Sequence, residues 1–259
     1  MRLAEALGRG PGRASYLVPY LLVDRGRSAR WGALVDALRD GGADAVELGF
    51  PFSDPIADGP TLAGASARAL AAGTRWSDLV AAVRTTATRL PTAVMTYANP
   101  VWQHGLEPAT AELGAAGAEA LVVPDLAWEE TAPWRRAARR GGLDLVGFLA
   151  PGLSAGRTAR IAASAEGYLY LVARYGTTGG GATGPAPDLR GIVAAAHRTR
   201  PDLAVLAGFG VADVRSRRAA LRSGADGVIV GSALEGRIAA GATPRAIARW
   251  LRELRGPVA

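Results

Sequence analysis

Short apolar runs alternate with amphipathic segments along almost the whole chain, and this alternation limits the possible folds more than any other feature. A short apolar run followed by a helical pattern is typical of parallel strands that are covered on both faces. Eight runs are predicted as strands, at residues 16–23, 45–48, 92–97, 120–123, 143–149, 168–172, 203–207 and 227–230. We therefore predict an α/β protein with a single (β/α)8 TIM-barrel domain over residues 1–259, a length typical of that fold.

The structural alternative is a doubly wound open sheet, but its usual G-x-G-x-x-G turn does not follow the first predicted strand. No linker or change in composition marks a second domain. Helical spacing predicts a short N-terminal helix at 2–7 and an extra helix at 61–71, after the second strand. The other helices are predicted at 28–39, 76–90, 109–116, 129–140, 155–165, 189–199, 212–223, 233–240 and 244–254.

The residue inventory removes several kinds of chemistry. Cysteine is absent, which excludes disulfides, thiolate nucleophiles and cysteine metal sites, and fits a cytoplasmic protein. The only histidines, His104 and His197, are too few for a histidine-rich centre, so no metal is expected. All 30 basic residues are arginine, because the chain has no lysine, and no side chain can form a Schiff base. Carboxylates become the leading candidates for catalysis.

The formal net charge of +7 does not indicate a nucleic-acid-binding protein. The arginines are scattered over polar helix faces, as in the segment 135–140, and no aromatic residues alternate with them to stack on bases. Pro19 interrupts the first apolar run and no cleavage site follows it, so a targeting segment is not expected. No apolar stretch is long enough to cross a membrane.

The stretch Glu47–Pro60, E-L-G-F-P-F-S-D-P-I-A-D-G-P, is the strongest candidate for a catalytic site. It places the carboxylates of Glu47, Asp54 and Asp58 at and just after the end of the second strand. A barrel enzyme presents acid/base groups at the ends of its strands. The apolar neighbours of Glu47 predict that burial raises its pKa toward the range useful for proton transfer. Asp54 alone is better interpreted as a surface residue that caps the next helix.

Polar residues at the other strand ends are expected to share the same mouth of the barrel. Glycine-bearing ends of the last two strands, together with a helix opening at Ser232, indicate a phosphate site. The glycine-rich segment 174–187, R-Y-G-T-T-G-G-G-A-T-G-P-A-P, is interpreted as a lid that excludes water, with Arg174 at its base. The strand-end candidates are Tyr20, Tyr97, Asp125, Arg174, Gly208, Gly210, Gly231 and Ser232.

These motifs resemble those of the tryptophan synthase alpha subunit family. The resemblance rests on the acidic stretch together with M-T-Y-A-N-P, V-P-D-L, R-Y-G-T-T-G, G-F-G and G-S, in order from about Tyr16 to Ala233. It implies a barrel that cleaves indole-3-glycerol phosphate to indole and glyceraldehyde 3-phosphate without a cofactor of its own. It also implies a beta-subunit partner that uses pyridoxal phosphate and consumes the indole.

The resemblance assigns roles to individual residues. Glu47 matches the acid/base carboxylate and Asp58 the second carboxylate, near the indole nitrogen. The remaining matches are Tyr97 and Asp125 at the indole pocket, Tyr170 at the wall of the site, Thr178 in the lid, and Gly179, Gly208, Gly210, Gly231 and Ser232 around the phosphate.

The chain departs from the family pattern in three places. The lid carries extra glycines, G-G-A-T-G at residues 180–184, after the matching Thr178-Gly179. The segment L-L-V-D-R-G-R-S after the first strand replaces a Thr/Gly/Pro-type loop, and Trp102, Trp128 and Trp134 lie near loops that approach the beta subunit in the family. The alternatives are a free-standing indole-releasing lyase, a non-catalytic activator of a beta subunit and another phosphate-binding barrel isomerase. Retention of both Glu47 and Asp58 argues against the activator, and the acidic motif argues against the isomerase.

Overall fold

Parallel strands surrounded by helices make up the computed structural model, which describes residues 3–8, 15–172, 189–208 and 210–256. Every strand pairing in these ranges is parallel. The strands are β1 (Tyr16–Leu22), β2 (Val46–Gly49), β3 (Thr92–Met95), β4 (Ala120–Val122), β5 (Asp144–Leu145), β6 (Gly147–Leu149), β7 (Leu169–Val172), β8 (Val205–Gly208) and β9 (Gly227–Val230).

Helices follow the strands around the outside of the sheet, and short 3-10 turns at Arg25–Arg30 and Trp128–Glu130 precede two of them. The α-helices are α1 (Leu3–Ala6), α2 (Trp31–Asp40), α3 (Pro60–Ala71), α4 (Trp76–Ala87), α5 (Ala98–His104), α6 (Leu106–Ala116), α7 (Thr131–Arg140), α8 (Ala155–Ser164), α9 (Arg190–Thr199), α10 (Val214–Arg222), α11 (Ser232–Ala239) and α12 (Pro244–Arg255).

The sheet closes on itself through its fifth strand. The strand order is β5-β4-β3-β2-β1-β9-β8-β7-β6, so the two ends of the sheet are β5 and β6. These ends are consecutive halves of one strand, separated only by Val146, whose N–H donates to the carbonyl of Leu121 at 3.0 Å. The first half pairs with β4 and the second with β7, which makes an eight-stranded barrel. The predicted TIM barrel is confirmed, and the open sheet is wrong.

Alternation along the strands creates two cores. In β1, Leu17 and Leu21 belong to the apolar layer between the sheet and the helices, whereas Val18 and Tyr20 belong to the interior of the barrel. Successive side chains of a strand point to opposite faces, so each strand supplies both layers. The same alternation in β2 sends Val46 and Leu48 outward and leaves Glu47 on the inner face.

The short N-terminal helix and the extra helix after the second strand are both present, as predicted. Leu3 of α1 joins the inner core, and its N–H donates to the carboxylate of Glu119, the residue immediately before β4. Helix α1 therefore covers the end of the barrel where the strands begin. Leu62 and Ala65 of α3 also join the inner core.

Helix α5 is present in the structure but was not predicted from the periodicity of the sequence. Asn99-Pro100 suggests a turn, but Pro100 lies in the first turn of α5, where a missing N–H removes no helical hydrogen bond. Other differences are shifts of a few residues at element ends. Across the described ranges no helix combines the length and the apolar character that crossing a membrane requires.

We predict that Gly114→Ala destabilises the barrel. A Cβ at Gly114 would lie 1.7 Å from the carbonyl oxygen of Gly141, which ends the neighbouring helix α7. Relieving that overlap forces α6 and α7 apart, at a cost of about 3 kcal/mol. Thermal unfolding followed by circular dichroism should show a Tm lower by roughly 5–10 °C.

Gly156→Ala in α8 is the matched control. A Cβ at Gly156 meets nothing within 4 Å, and alanine favours helix over glycine by up to about 1 kcal/mol. Its Tm should equal or exceed that of the wild type. A Gly114→Ala protein as stable as the control would contradict the close approach of the two helices.

Candidate active site

Glu47 carries a buried carboxyl group on the inner face of β2. The residue is 0% exposed, and its register places it beside Tyr20 of β1 and Ala93 of β3. The hydroxyl of Tyr168 donates a 2.8 Å hydrogen bond to Oε2. The other oxygen, Oε1, is buried and has no hydrogen-bond partner among the residues that the structure describes. One oxygen is therefore fixed, and the other remains available to a ligand.

Burial raises the pKa of Glu47 from 4.5 to about 7, although the hydrogen bond from Tyr168 lowers it and the nearby charge of Asp58 adds to the rise. This shift corresponds to about 3 kcal/mol of preference for the neutral form inside the folded barrel. Near neutral pH, Glu47 can therefore either give up or accept a proton. The burial expected from its apolar neighbours is confirmed.

Asp58 is a partly buried carboxyl group in the loop that follows β2. Partial burial raises its pKa to about 6, opposed by a hydrogen bond from the hydroxyl of Tyr97. That hydroxyl also accepts from the N–H of Ala57 at 3.1 Å, and the Tyr97 ring packs on Phe52 with centroids 5.3 Å apart. Tyr97 thus holds the acidic loop at two points and positions the Asp58 carboxylate.

Glu47 and Asp58 face one cavity at the ends of the strands. The empty space between its lining atoms is about 380 Å³, counting the part at the mouth that is open to solvent. Its apolar wall suits a flat aromatic ring, while polar groups occur at both ends. The lining residues are Tyr20, Glu47, Asp58, Leu62, Met95, Tyr170, Gly210, Val211, Ile229, Gly231 and Ser232.

Two buried tyrosines line the cavity because glycines on the neighbouring strands leave room for their rings. A Cβ at Gly49 would lie 1.9 Å from the hydroxyl oxygen of Tyr20, and a Cβ at Gly208 would lie 2.1 Å from that of Tyr170. Burial raises the pKa of both tyrosines well above the usual value, so their hydroxyls stay protonated. They remain neutral hydrogen-bond donors beside the carboxyl pair.

Gly210, Gly231 and Ser232 form the other end of the cavity. Gly210 has a φ of 94°, a conformation that glycine adopts without strain. Helix α11 begins at Ser232, and no side chain of the described residues caps its first turn. Its first N–H groups can therefore donate hydrogen bonds to an anion, which the positive end of the helix dipole also attracts. The sequence analysis predicted a phosphate site at this helix start.

Some predicted site residues occupy other positions. Asp125 is exposed and does not line the cavity; its carboxylate accepts from the N–H of Ala98 at 2.9 Å and holds the start of α5. Gly208 makes room for Tyr170 instead of lining the cavity. Arg174, Thr178 and Gly179, together with the predicted lid, lie outside the described residues.

Tyr168 is the important contact that the sequence analysis does not include. It lies two residues before Tyr170, and the alternation of a strand puts both tyrosines on the inner face. That spacing could have identified it. Leu62, Met95, Val211 and Ile229 were also not predicted, because apolar residues lining a cavity look like any other core residue in a sequence.

Asp54 lies at the surface, as predicted, but the prediction that it caps the next helix is wrong, because the N-cap of α3 is Gly59 and, among the described residues, no side-chain hydrogen bond caps that helix. Asp54 is exposed and accepts a hydrogen bond from its neighbour Ser53 at 2.6 Å. Within the described part of the chain, no cluster of three or more histidine, aspartate or glutamate side chains could hold a metal ion.

Known proteins similar to this chain agree on one family. The family model for the tryptophan synthase alpha chain matches residues 11–255. The tryptophan synthase alpha chain of Methanosarcina acetivorans is 38% identical over 219 residues, covering 83% of this chain and 78% of that protein. That of Synechococcus elongatus is 40% identical over 235 residues, covering 89% and 86%.

Solved structures give the same result. Tryptophan synthase from M. tuberculosis, in an open form with BRD0059 bound, superposes with a TM-score of 0.83 at 30% identity, over 98% of this chain and 95% of that one. Tryptophan synthase subunit alpha from Legionella pneumophila gives 0.80 at 30% identity, over 98% and 95%. The chain belongs to the tryptophan synthase alpha chain family.

Proposed function

We propose that this chain is a carbon–carbon lyase that cleaves indole-3-glycerol phosphate to indole and glyceraldehyde 3-phosphate, with Glu47 and Asp58 as its acid/base pair. The observation that carries the proposal is the cavity that Glu47 and Asp58 share, in which one Glu47 oxygen has no partner among the described residues. Family membership supports this reaction over the alternatives of a non-catalytic activator and a phosphate isomerase.

The bond to be cleaved joins C3 of the indole ring to the hydroxyl-bearing carbon of the glycerol chain. An aromatic carbon is a poor leaving group until it is protonated, so neutral Glu47 first delivers its proton to C3. The ring then carries a positive charge, which ionised Asp58 stabilises through the ring N–H. Glu47, now a carboxylate, removes the proton of the side-chain hydroxyl. A C=O bond forms, the C3–carbon bond breaks, and its electron pair restores the aromatic ring.

The environments of the two carboxyl groups support this division of roles. Glu47, with a pKa of about 7, keeps a substantial protonated fraction near neutral pH, whereas Asp58, with a pKa of about 6, is mostly ionised. Two carboxyl groups whose environments separate their pKa values form an acid/base pair. Tyr20 and Tyr170 contribute neutral walls around the ring, and Gly210, Gly231 and Ser232 bind the phosphate.

The roles of Arg174, Thr178 and Gly179 as lid and phosphate contacts remain part of this proposal and rest on the resemblance alone. No cofactor is required for the steps above, and pyridoxal phosphate belongs to the beta partner. The cysteine-free composition fits the cytoplasmic location that we infer.

An exposed apolar surface beside the mouth supports a beta-subunit partner. Ile56 in the acidic loop is 72% exposed, and Trp102 on α5 is 63% exposed. Trp102 stacks on the buried Trp134 with centroids 6.2 Å apart, which fixes its outward position. Exposed tryptophan is typical of interface hot spots. We therefore infer that this surface docks the tryptophan synthase beta subunit.

We predict that Glu47→Gln abolishes indole release, since glutamine cannot supply the proton. Calorimetric binding of glycerol 3-phosphate should stay within about threefold of wild type, because phosphate contacts the other end of the cavity. The control is Asp54→Asn, an exposed change in the same loop, which should keep full activity when assayed without a partner. Activity in Glu47→Gln would remove the proposed role.

The same variant should be more stable than wild type at alkaline pH. The pKa of Glu47 is raised in the folded state, so wild-type stability is full below about pH 4.5 and falls as pH rises toward 7. Glutamine mimics the neutral form and avoids this loss. Denaturant unfolding at pH 8.5 should show a gain of up to about 3 kcal/mol, which should vanish near pH 4.5.

We predict a narrow bell-shaped dependence of kcat/KM on pH. The rate should fall below about pH 6, where Asp58 takes up a proton, and above about pH 7, where Glu47 loses its proton. Asp58→Asn should lower kcat/KM at least about hundredfold and remove the acid limb.

Tyr168→Phe removes a hydrogen bond that lowers the pKa of Glu47, so the alkaline limb of the pH profile of this variant should move to higher pH. If the alkaline limb of Tyr168→Phe does not move, that limb does not report the deprotonation of Glu47.

We predict that Trp102→Gln weakens binding to the purified beta subunit of the same organism at least about tenfold by calorimetry. Arg198→Gln provides the control, because Arg198 is exposed on α9, beside β8 and across the barrel from β3. Equal affinities for the two variants would place the interface elsewhere, and wild-type protein that fails to bind would contradict the partner itself.

A further inference from the structure

A buried ion pair joins the loop after β1 to the helix at the phosphate end of the cavity. Glu235 lies in the first turn of α11, and its side chain is 0% exposed. The guanidinium of Arg27, from the 3-10 turn after β1, donates a hydrogen bond from Nη1 to Oε1 at 3.0 Å, and its Nη2 lies 2.8 Å from Oε2 as an ion-pair contact that lacks hydrogen-bond geometry. Arg27 belongs to the segment L-L-V-D-R-G-R-S, residues 21–28, where the sequence departs from the family pattern.

The position of Glu235 follows from the unequal lengths of β1 and β9. The last residue of β9, Val230, is opposite Pro19, so β1 continues beyond the end of its neighbour. The N–H of Leu22, at the end of β1, donates to Glu235 Oε1 at 2.8 Å. The carboxylate therefore accepts a backbone N–H on the side of β1 where β9 has already ended, while β2 still pairs with the other side.

A carboxylate in this position conflicts with phosphate binding unless its charge is neutralised. Glu235 comes three residues after Ser232. Its backbone therefore lies about 5 Å further along the helix axis than the first N–H groups of α11, which are proposed to bind the phosphate. An unpaired carboxylate at this distance would repel a phosphate dianion well within the screening length of about 8 Å.

Arg27 supplies the neutralising charge and is held in place for it. Its residue is 6% exposed, and its Nε contacts Asp24 Oδ2 at 3.2 Å. Asp24 in turn accepts from the N–H of Gly26 at 2.8 Å, which stabilises the turn that carries Arg27. The planar guanidinium suits this two-sided pairing, which a lysine could not reproduce.

We propose that Arg27 is a positioning residue for the phosphate end of the substrate. By neutralising Glu235, it lets the first turn of α11 bind a dianion. The proposal deepens the proposed function, since it concerns the same phosphate site. It predicts an asymmetry: loss of the arginine weakens phosphate binding, whereas loss of the glutamate charge does not.

The test measures binding of inorganic phosphate by calorimetry and steady-state cleavage of indole-3-glycerol phosphate. Arg27→Met should weaken phosphate binding and raise KM at least tenfold, with kcat changed less than about twofold. The phosphate contacts are the same in the substrate and the transition state, so their loss affects KM and not kcat. Glu235→Gln retains an acceptor for the N–H of Leu22 and should bind phosphate at least as tightly as wild type. The double variant should recover to within threefold of wild type, because position 235 in the first turn of α11 then carries no charge, while Asp24 stays in the turn after β1 and keeps its hydrogen bond from the N–H of Gly26.

Arg255→Met is the matched control. Arg255 pairs with Asp44 at 2.9 Å, and Asp44 accepts the N–H of Leu17 at the beginning of β1, at the opposite end of the barrel. Its loss should lower Tm without changing phosphate affinity. If Arg27→Met and Glu235→Gln weaken phosphate binding equally, or if neither Arg27→Met nor the double variant differs from wild type, the proposal is overturned.

The design also covers misfolding and separates the two proposals. Should Arg27→Met not fold, weaker phosphate binding by Glu235→Gln alone would overturn the inference, and equal or tighter binding would support it. Wild-type protein that binds phosphate with the predicted asymmetry but releases no indole would contradict the proposed function and leave the inference standing. Normal indole release with no asymmetry would do the reverse.

Discussion

A neutral carboxyl group inside a closed barrel is the constraint from which the site follows. Glu47 occupies an inward position on a strand that is apolar on its other face, so it has no access to bulk water. Burying an ionised carboxylate without a cation is costly, and the group stays protonated to a higher pH instead. Tyr168 limits that shift by bonding one oxygen. The result is an acid with a pKa of about 7 in a chain that has no lysine, no cysteine and two histidines.

Small residues at the strand ends make the cavity possible. Gly49 and Gly208 end two strands that each lie beside a strand carrying a large tyrosine, and any side chain at either glycine would overlap that tyrosine. The rings of Tyr20 and Tyr170 occupy the space that these glycines leave and form part of the cavity wall. Glycines at these ends thus shape the wall for an aromatic ring, in addition to any contact with phosphate. The wall and the carboxyl pair are consequences of the same strand register.

Periodicity predicted the barrel because each strand and helix carries its own apolar pattern, and it predicted Glu47 because that residue breaks such a pattern. It could not predict what depends on three-dimensional approach. The fifth strand looks continuous in sequence, yet Val146 divides it between two neighbours. Asp125 follows the end of β4, but its side chain turns to the start of α5, a helix that the Asn99-Pro100 pair had made look like a turn. The contact from Tyr168 to Glu47 joins residues 121 positions apart.

The two ends of β1 show how this arginine-rich chain satisfies backbone N–H groups where a strand has a neighbouring strand on only one side. Asp44 accepts the N–H of Leu17 at one end, and Glu235 accepts that of Leu22 at the other, each beside an arginine. At the beginning of the strand, the pair with Arg255 is partly open to solvent and lies at the opposite end of the barrel from the cavity, so we expect its loss to affect stability alone. At the end of the strand the same device is fully buried and adjoins an anion site, so its charge balance bears on ligand binding. One local solution to an unpaired N–H therefore acquires a functional role only through its position in the barrel.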